Sequence, residues 1–273
     1  MNNNFQKDRK DRKKRLRLHC GIVLFGLTIM LGATLSHVPA KQSNESHEIK
    51  SDYKVKDKKA ETAKNNEAKK KAETAEANAA VLSMWNHVLV NPWNKLPENF
   101  TVDLQQLGDG QAIDKRAYPD LQAMMDDARA QGLSPVICSS YRAPEKQEYL
   151  FDDKIKRCEE QGYSKEEAEK VAATWVALPG TSEHQTGLAL DIVSSNNQTL
   201  EKEQEDTPEQ QWLINNSYKY GFILRYPSEK SNITGISYEP WHYRYVGRET
   251  AKIIHDSGIC LEEYLDSLKP GTK

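Results

Sequence analysis

Two short segments of the sequence carry side chains that bind metals and transfer protons. Residues 182–191 read S-E-H-Q-T-G-L-A-L-D, and residues 239–242 read E-P-W-H. They contribute two imidazoles, His184 and His242, and two carboxylates, Asp191 and Glu239. A catalytic zinc takes three nitrogen or oxygen ligands, keeps one position open, and works beside an acid that is not a ligand. The residue types therefore predict a metal-dependent hydrolase.

The surroundings of these side chains favour some of them as ligands. Asp191 lies among aliphatic residues that alternate as in a buried strand, where a carboxylate is costly unless it is paired or metal-bound. His184 lies seven residues earlier, after a Pro-Gly turn, so both can reach one metal. Glu239 and His242 are three residues apart and share a site only if the chain bends between them. By spacing alone, Glu239 is either a catalytic acid or a solvated loop residue.

Two histidines and one carboxylate are also the ligands of non-haem iron oxygenases. Those enzymes usually place the histidine and the carboxylate closer in sequence, and Glu239 would have no role in them. An exported location also suits redox-inactive zinc better than ferrous iron. We therefore favour zinc.

The first eighty residues differ in composition from the rest. Residues 1–17 contain eight Lys or Arg, and residues 18–40 are uncharged and just long enough to cross a bilayer. The basic block predicts a cytoplasmic N-terminus and an extracellular remainder. We expect residues 18–40 to be an uncleaved anchor, with a signal peptide cleaved near Ala40 as the alternative. Residues 41–80, with ten Lys and eight acidic residues, predict a charged helical or disordered stalk.

Residues 81–270 contain all five Trp and have the length of one compact domain. Helices are expected over about 121–131, 144–161, 164–175, 207–221 and 248–257, and strands over about 135–138, 187–193, 222–225 and 241–246. The helices cluster early in this region and the strands late, and the links between strands are short. This order indicates an α+β fold with a small, mostly antiparallel sheet that carries the zinc site. The spacing of Cys138, Cys158 and Cys260 is not that of metal ligands, and we interpret them as core residues. The sequence does not predict whether they are reduced or oxidised.

The pattern S-x-H-x-x-G-x-A-x-D followed by E-x-W-H resembles the signature of the VanY-type zinc D-alanyl-D-alanine carboxypeptidases. That family shares a fold superfamily with lysostaphin-like endopeptidases and hedgehog domains. The chain fills every position of the pattern and adds S-S-Y-R at 139–142, G-F-I-L-R-Y-P at 221–227 and Y-E-P-W-H-Y-R-Y-V-G at 238–247. The resemblance covers about residues 83–268.

The resemblance implies one Zn²⁺ per domain, bound by His184, Asp191 and His242. It implies that Glu239 is the general base that returns its proton to the leaving amine, and that Arg142 faces the tetrahedral intermediate or the substrate carboxylate. It also implies substrate contacts along the pocket, from Ser182, Tyr141, Gln147, Trp241 and Tyr243.

The implied reaction is removal of the C-terminal D-Ala from peptidoglycan stem peptides by a D,D-carboxypeptidase. An L,D-carboxypeptidase acting on tetrapeptide stems is the alternative, because relatives use the same metal ligands. A non-enzymatic zinc-containing cell-wall-binding module is a more remote one, and Glu239 and Arg142 argue against it. We expect a monomer that contacts the membrane through its N-terminal helix and binds no nucleic acid. Wall remodelling and glycopeptide resistance both remain open as roles.

Overall fold

A computed structural model describes residues 48–271 of the 273-residue chain. The predicted basic segment at 1–17 and the predicted anchor at 18–40 lie outside the described residues. Within residues 48–271, none of the helices combines the length and the hydropathy that a membrane span requires. The chain divides into two units, Met1–Lys58 and Lys59–Lys273.

Helix α1 (Glu48–Leu82) takes up most of the region predicted as a stalk. Its residues 64–77 are exposed, as expected for a sequence rich in Lys, Glu and Ala. Its last turns contact the rest of the second unit: the Asn78 amide donates a hydrogen bond to the Leu268 carbonyl, and Val81 and Leu82 pack on a hydrophobic cluster. The helix therefore ends on the domain, two residues past the boundary predicted at residue 80.

The domain is α+β, as predicted, and its sheets are antiparallel. The main sheet has the strand order β3-β4-β6-β5, with β3 Pro135–Ser139, β4 Ala189–Ser194, β5 Phe222–Leu224 and β6 His242–Tyr245. A second sheet pairs β1 (Leu104–Gln106) with β2 (Ala112–Asp114). It was not predicted, because strands of three residues are too short to show a period. The helices after α1 are α2 Tyr118–Ala130, α3 Pro144–Glu160, α4 Lys165–Ala172, α5 Pro208–Asn216, α6 Ser231–Thr234, α7 Arg248–Ser257 and α8 Leu261–Ser267.

The central strand β4 separates the hydrophobic core from the predicted site. Leu190 and Ile192 are fully buried in the main core cluster, together with Leu213 of α5. Successive side chains of a strand point to opposite faces of the sheet, so Asp191 points away from that cluster. One face of the strand thus stabilises the domain, and the other presents the carboxylate.

The three domain cysteines form no disulfide. Cys158 and Cys260 are buried, whereas Cys138, on the edge strand β3, is only partly so. Burial raises the pKa of the Cys260 thiol to about 11, which keeps it protonated at neutral pH.

Candidate metal centre

Three side chains meet where β4 and β6 run side by side. His184 lies on the short 3₁₀ turn Glu183–Thr186, and the strand register pairs Asp191 directly with His242. Nε2 of His184 is 3.3 Å from Oδ2 of Asp191, and Nδ1 of His242 is 3.1 Å from Oδ1. Ligands placed about 2.0–2.1 Å from a tetrahedral zinc lie roughly 3.3 Å apart. Each imidazole thus lies close to that spacing from one oxygen of Asp191, and one donor atom from each of the three residues lies within 4.8 Å of the other two.

Hydrogen bonding selects the ring nitrogens that face this site. Nδ1 of His184 is 2.9 Å from the carbonyl oxygen of Ser140, so that nitrogen donates its proton and leaves the Nε2 lone pair free. Oδ1 of Asp191 is buried and satisfied by no hydrogen bond from the described residues. An unpartnered carboxylate oxygen between two imidazoles is costly unless a cation occupies the space. The buried groups therefore fit a bound zinc.

Behind His242 lies a buried cluster of four charged side chains that sequence reasoning missed. Oε1 of Glu183 accepts hydrogen bonds from Nε of Arg225 at 2.8 Å and from Nη1 of Arg244 at 2.7 Å. Arg225 also bonds both carboxylate oxygens of Glu262 on α8, at 2.8 and 2.6 Å. Two cations and two anions balance, which is what permits such deep burial. Burial opposes ionisation of Glu183, but the two guanidinium groups outweigh it and hold its pKa well below the usual range.

Glu239 reaches the same site through a bend in the chain. The His242 amide donates a hydrogen bond to the Glu239 carbonyl, which closes the turn that the three-residue spacing required. Oε2 of Glu239 is 3.6 Å from Nδ1 of His242. Burial raises the pKa of Glu239 to about 7; the positive charge of His242 opposes this shift, and the negative charge of Asp191 adds to it. A carboxyl group with such a pKa can both accept and release a proton near neutral pH.

Arg142 lies on the loop between β3 and α3 and lines the same cavity. Its Nη1 donates to Oε1 of Gln147 at 2.8 Å, and its Nη2 donates to Oγ of Ser139 at 2.9 Å. Gln147 is fully buried and also donates to the Ala177 carbonyl. The structure therefore corrects the prediction for Gln147, because a side chain with no exposed surface orients the guanidinium and does not touch substrate.

The other predicted substrate contacts divide into two groups. Ser182 and Trp241 line the cavity of the metal centre. Tyr141 lines a neighbouring cleft instead, and Tyr243 is fully buried in the core, where its hydroxyl donates to Oε1 of Gln210 at 2.7 Å. Tyr243 follows His242 on the strand and must point to the opposite face, so its prediction as a substrate contact was wrong.

Tyr226 lines the cavity and was not among the predicted site residues. Its ring centre lies 4.7 Å from that of His242, and the side chain is buried. The sequence signal at this point belongs to its neighbour. Arg225 directly follows the apolar strand Phe222–Leu224, and an arginine in that position needs a buried partner. The cavity has a volume of about 550 Å³ and extends from the metal centre to one face of α3.

Comparisons with known proteins agree with this geometry. A profile of the VanY family, described as D-alanyl-D-alanine carboxypeptidase, matches residues 110–248. A D-alanyl-D-alanine carboxypeptidase of Enterococcus faecalis is 48% identical over 185 residues, which cover 68% of this chain and 67% of that protein.

Two solved structures are similar over the same region. One is a mutant of the vancomycin resistance D,D-pentapeptidase VanY in complex with Zn(II), with a TM-score of 0.61 and 48% identity over 67% of this chain and 99% of that one. The other is VanYB in complex with D-alanine-D-alanine, with a TM-score of 0.63 and 47% identity over 68% of this chain and 100% of that one.

Proposed function

This chain belongs to the VanY family of D-alanyl-D-alanine carboxypeptidases, and we propose that it removes the C-terminal D-Ala from peptidoglycan stem peptides as a zinc-dependent D,D-carboxypeptidase. The observation that carries the proposal is the convergence of one acid, Glu239, and one cation, Arg142, on the three-residue metal centre. His184, Asp191 and His242 would hold the zinc, which lowers the pKa of a bound water to near 7.

Protein side chains then transfer the proton, face the negative charge of the substrate and position the peptide. Glu239, which lines the cavity beside the three metal-binding candidates, takes the proton of the attacking water and delivers it to the leaving nitrogen of D-Ala. Arg142, held in place by Gln147 and Ser139, presents a fixed guanidinium to negative charge on the substrate. Ser182 and Trp241 lie close enough to position the peptide, since both line the cavity.

The purified full chain, loaded with zinc, should be incubated separately with pentapeptide and tetrapeptide stems and the products weighed by mass spectrometry. We expect the pentapeptide to lose one alanine and the tetrapeptide to remain intact. Loss of alanine from the tetrapeptide alone would favour the L,D-carboxypeptidase alternative. Loss from neither would contradict a carboxypeptidase function.

We also propose that residues 18–40 anchor the protein and place the domain outside the cell. The eight basic residues before an uncharged segment of this length support that orientation. Protease added to intact protoplasts should digest the domain while the N-terminus stays protected, as read by tags at each end. A domain that is protected in intact protoplasts would contradict the proposal, and release of a soluble form starting near residue 41 would indicate cleavage instead.

A further inference from the structure

The cavity continues well past the groups assigned to catalysis. Its volume of about 550 Å³ is in the range of about 300–1,000 Å³ that holds drug-sized ligands, so it has room beyond the two alanines at the scissile bond. The additional lining comes from α3, from the turn after α4 and from the loop after β4, and comprises Leu150, Lys154, Arg157, Trp175, Val176, Leu200 and Glu201.

One face of α3 forms the cationic side of this outer region. Leu150, Lys154 and Arg157 follow each other at four and three positions, which places them on the same side of a helix. The lining from the loop after β4, Leu200 and Glu201, is apolar and acidic. The positive charge of the outer region is therefore confined to the α3 side.

The cationic groups are positioned to receive an anion. Lys154 lies over the ring of Trp175, with its ammonium 5.2 Å from the ring centre, and the indole is 57% exposed. Within residues 48–271, no carboxylate forms an ion pair with Lys154. Arg157 donates through Nε to Asp153 at 2.8 Å, which fixes the plane of its guanidinium at the cavity. An unpaired ammonium, an oriented guanidinium and an open aromatic face together suit a carboxylate on an extended chain.

The length of α3 sets the distance from the catalytic groups. Gln147 on this helix binds Arg142, and Lys154 and Arg157 follow it by seven and ten residues, about 10 and 15 Å along the axis. An extended peptide spans at most about 3.3–3.6 Å per residue. The two cations therefore lie level with a substrate residue that is about three to four residues before the substrate residue held at Arg142.

We propose that Lys154, Arg157 and Trp175 form an outer subsite that binds a carboxylate of the stem peptide about three residues before its C-terminal D-Ala. This inference rests on the proposed function, and it names the specificity of the same cavity. In a pentapeptide stem, the group at that distance is the free α-carboxylate of the γ-linked D-glutamate. The subsite therefore distinguishes stems with a free carboxylate from stems in which that group is amidated.

The test compares three substrates of the zinc-loaded full chain: L-Ala-γ-D-Glu-L-Lys-D-Ala-D-Ala, its D-isoglutamine analogue, and Nα-acetyl-L-Lys-D-Ala-D-Ala. We expect kcat/KM about tenfold higher for the free-carboxylate pentapeptide than for the amidated one, as for a charge-assisted contact at a half-exposed site. The double variant Lys154→Gln/Arg157→Gln should lose this preference and keep wild-type kcat/KM on the acetylated tripeptide. The variant Lys156→Gln is the matched control, because Lys156 is exposed on the same helix and does not line the cavity.

Equal kcat/KM for the two pentapeptides with the wild-type chain would overturn the subsite, as would an equal loss on all three substrates in the double variant. If no substrate releases D-Ala, the proposed function fails. The subsite is then tested separately, by calorimetry that compares the affinities of the two intact pentapeptides. Tighter binding of the free carboxylate that the double variant abolishes would support it. Equal affinities would contradict it.

Discussion

Nε2 of His242 lies 3.5 Å from Oε2 of Glu183, and both atoms are buried without another hydrogen-bond partner in the described part of the chain. A proton on Nε2 that points to this carboxylate leaves Nδ1 of His242 free to face Asp191. Such carboxylate–histidine pairs orient a ligand and raise its basicity. The acidic residue inside S-E-H thus determines which nitrogen of a histidine 59 residues away is available to a metal.

Replacing Glu183 by Gln should therefore weaken zinc binding about 10- to 100-fold, because the substitution removes the negative charge that His242 and two arginines face. Competition with a chromophoric chelator measures this affinity. The absorption spectrum of the cobalt-substituted protein should also shift as the ligand ring turns. Glu159→Gln, at an exposed position of α3, is the control. Unchanged affinity in Glu183→Gln would mean that the carboxylate supports only the fold.

Glu239→Gln should reduce D-Ala release by about 10²- to 10⁴-fold, since the amide cannot carry the proton from water to the leaving nitrogen. Zinc content, measured by mass spectrometry of the metal, should stay at one ion per chain because Glu239 is not among the three grouped ligands. Undiminished turnover would exclude Glu239 as the base. Loss of the metal would instead indicate that it is a ligand.

Arg142 and Gln147 should act as one unit, because the glutamine holds the guanidinium and has no exposed surface of its own. We expect Arg142→Lys to lower kcat/KM about 100-fold and Gln147→Ala about 10-fold, since a lysine lacks the planar fork and a freed arginine loses its orientation. In the Arg142→Lys background, Gln147→Ala should have little further effect. Additive losses in this double-mutant cycle would show that Gln147 acts independently of Arg142.

Gly187 should tolerate alanine less well than Gly132, a second glycine with positive φ. Its φ is +70°, and a Cβ there would lie 2.9 Å from Cγ2 of Val102 and 3.2 Å from the backbone nitrogen of Asp114. Gly132 has a φ of +81° and open space around it. In urea unfolding, Gly187→Ala should cost about 1–3 kcal/mol more than Gly132→Ala, because only the former adds overpacking to backbone strain. Equal losses would show that the β1–β2 hairpin moves aside freely.

The sequence predicted those features that depend on neighbours along the chain. The aliphatic flanks of Asp191 indicated a strand with a costly carboxylate, and Ser164 with Glu167 forms the capping box that starts α4. The antiparallel α+β class followed from the order of such elements. The assigned roles of the metal ligands, Glu239 and Arg142 stay predictions until they are tested.

Features that depend on partners far away in the sequence were not predictable from local patterns. The resemblance implied that Tyr243, the neighbour of His242, contacts the substrate, but a strand turns neighbouring side chains to opposite faces. Gln147 finds its partner only after α3 has packed against the turn that carries Ala177. The charge cluster needs Glu183, Arg225 and Glu262 from three distant segments, and no spacing rule connects them.

The bond between Arg225 and Glu262 also concerns the order in which the protein is made. All three side chains proposed to bind the metal have been synthesised by residue 242, but the carboxylate that supports Arg225 follows twenty residues later. A nascent chain that stops between these points contains every ligand and lacks the balanced cluster behind His242. We expect such a chain to bind metal poorly, so that metal loading is delayed until Glu262 has been synthesised.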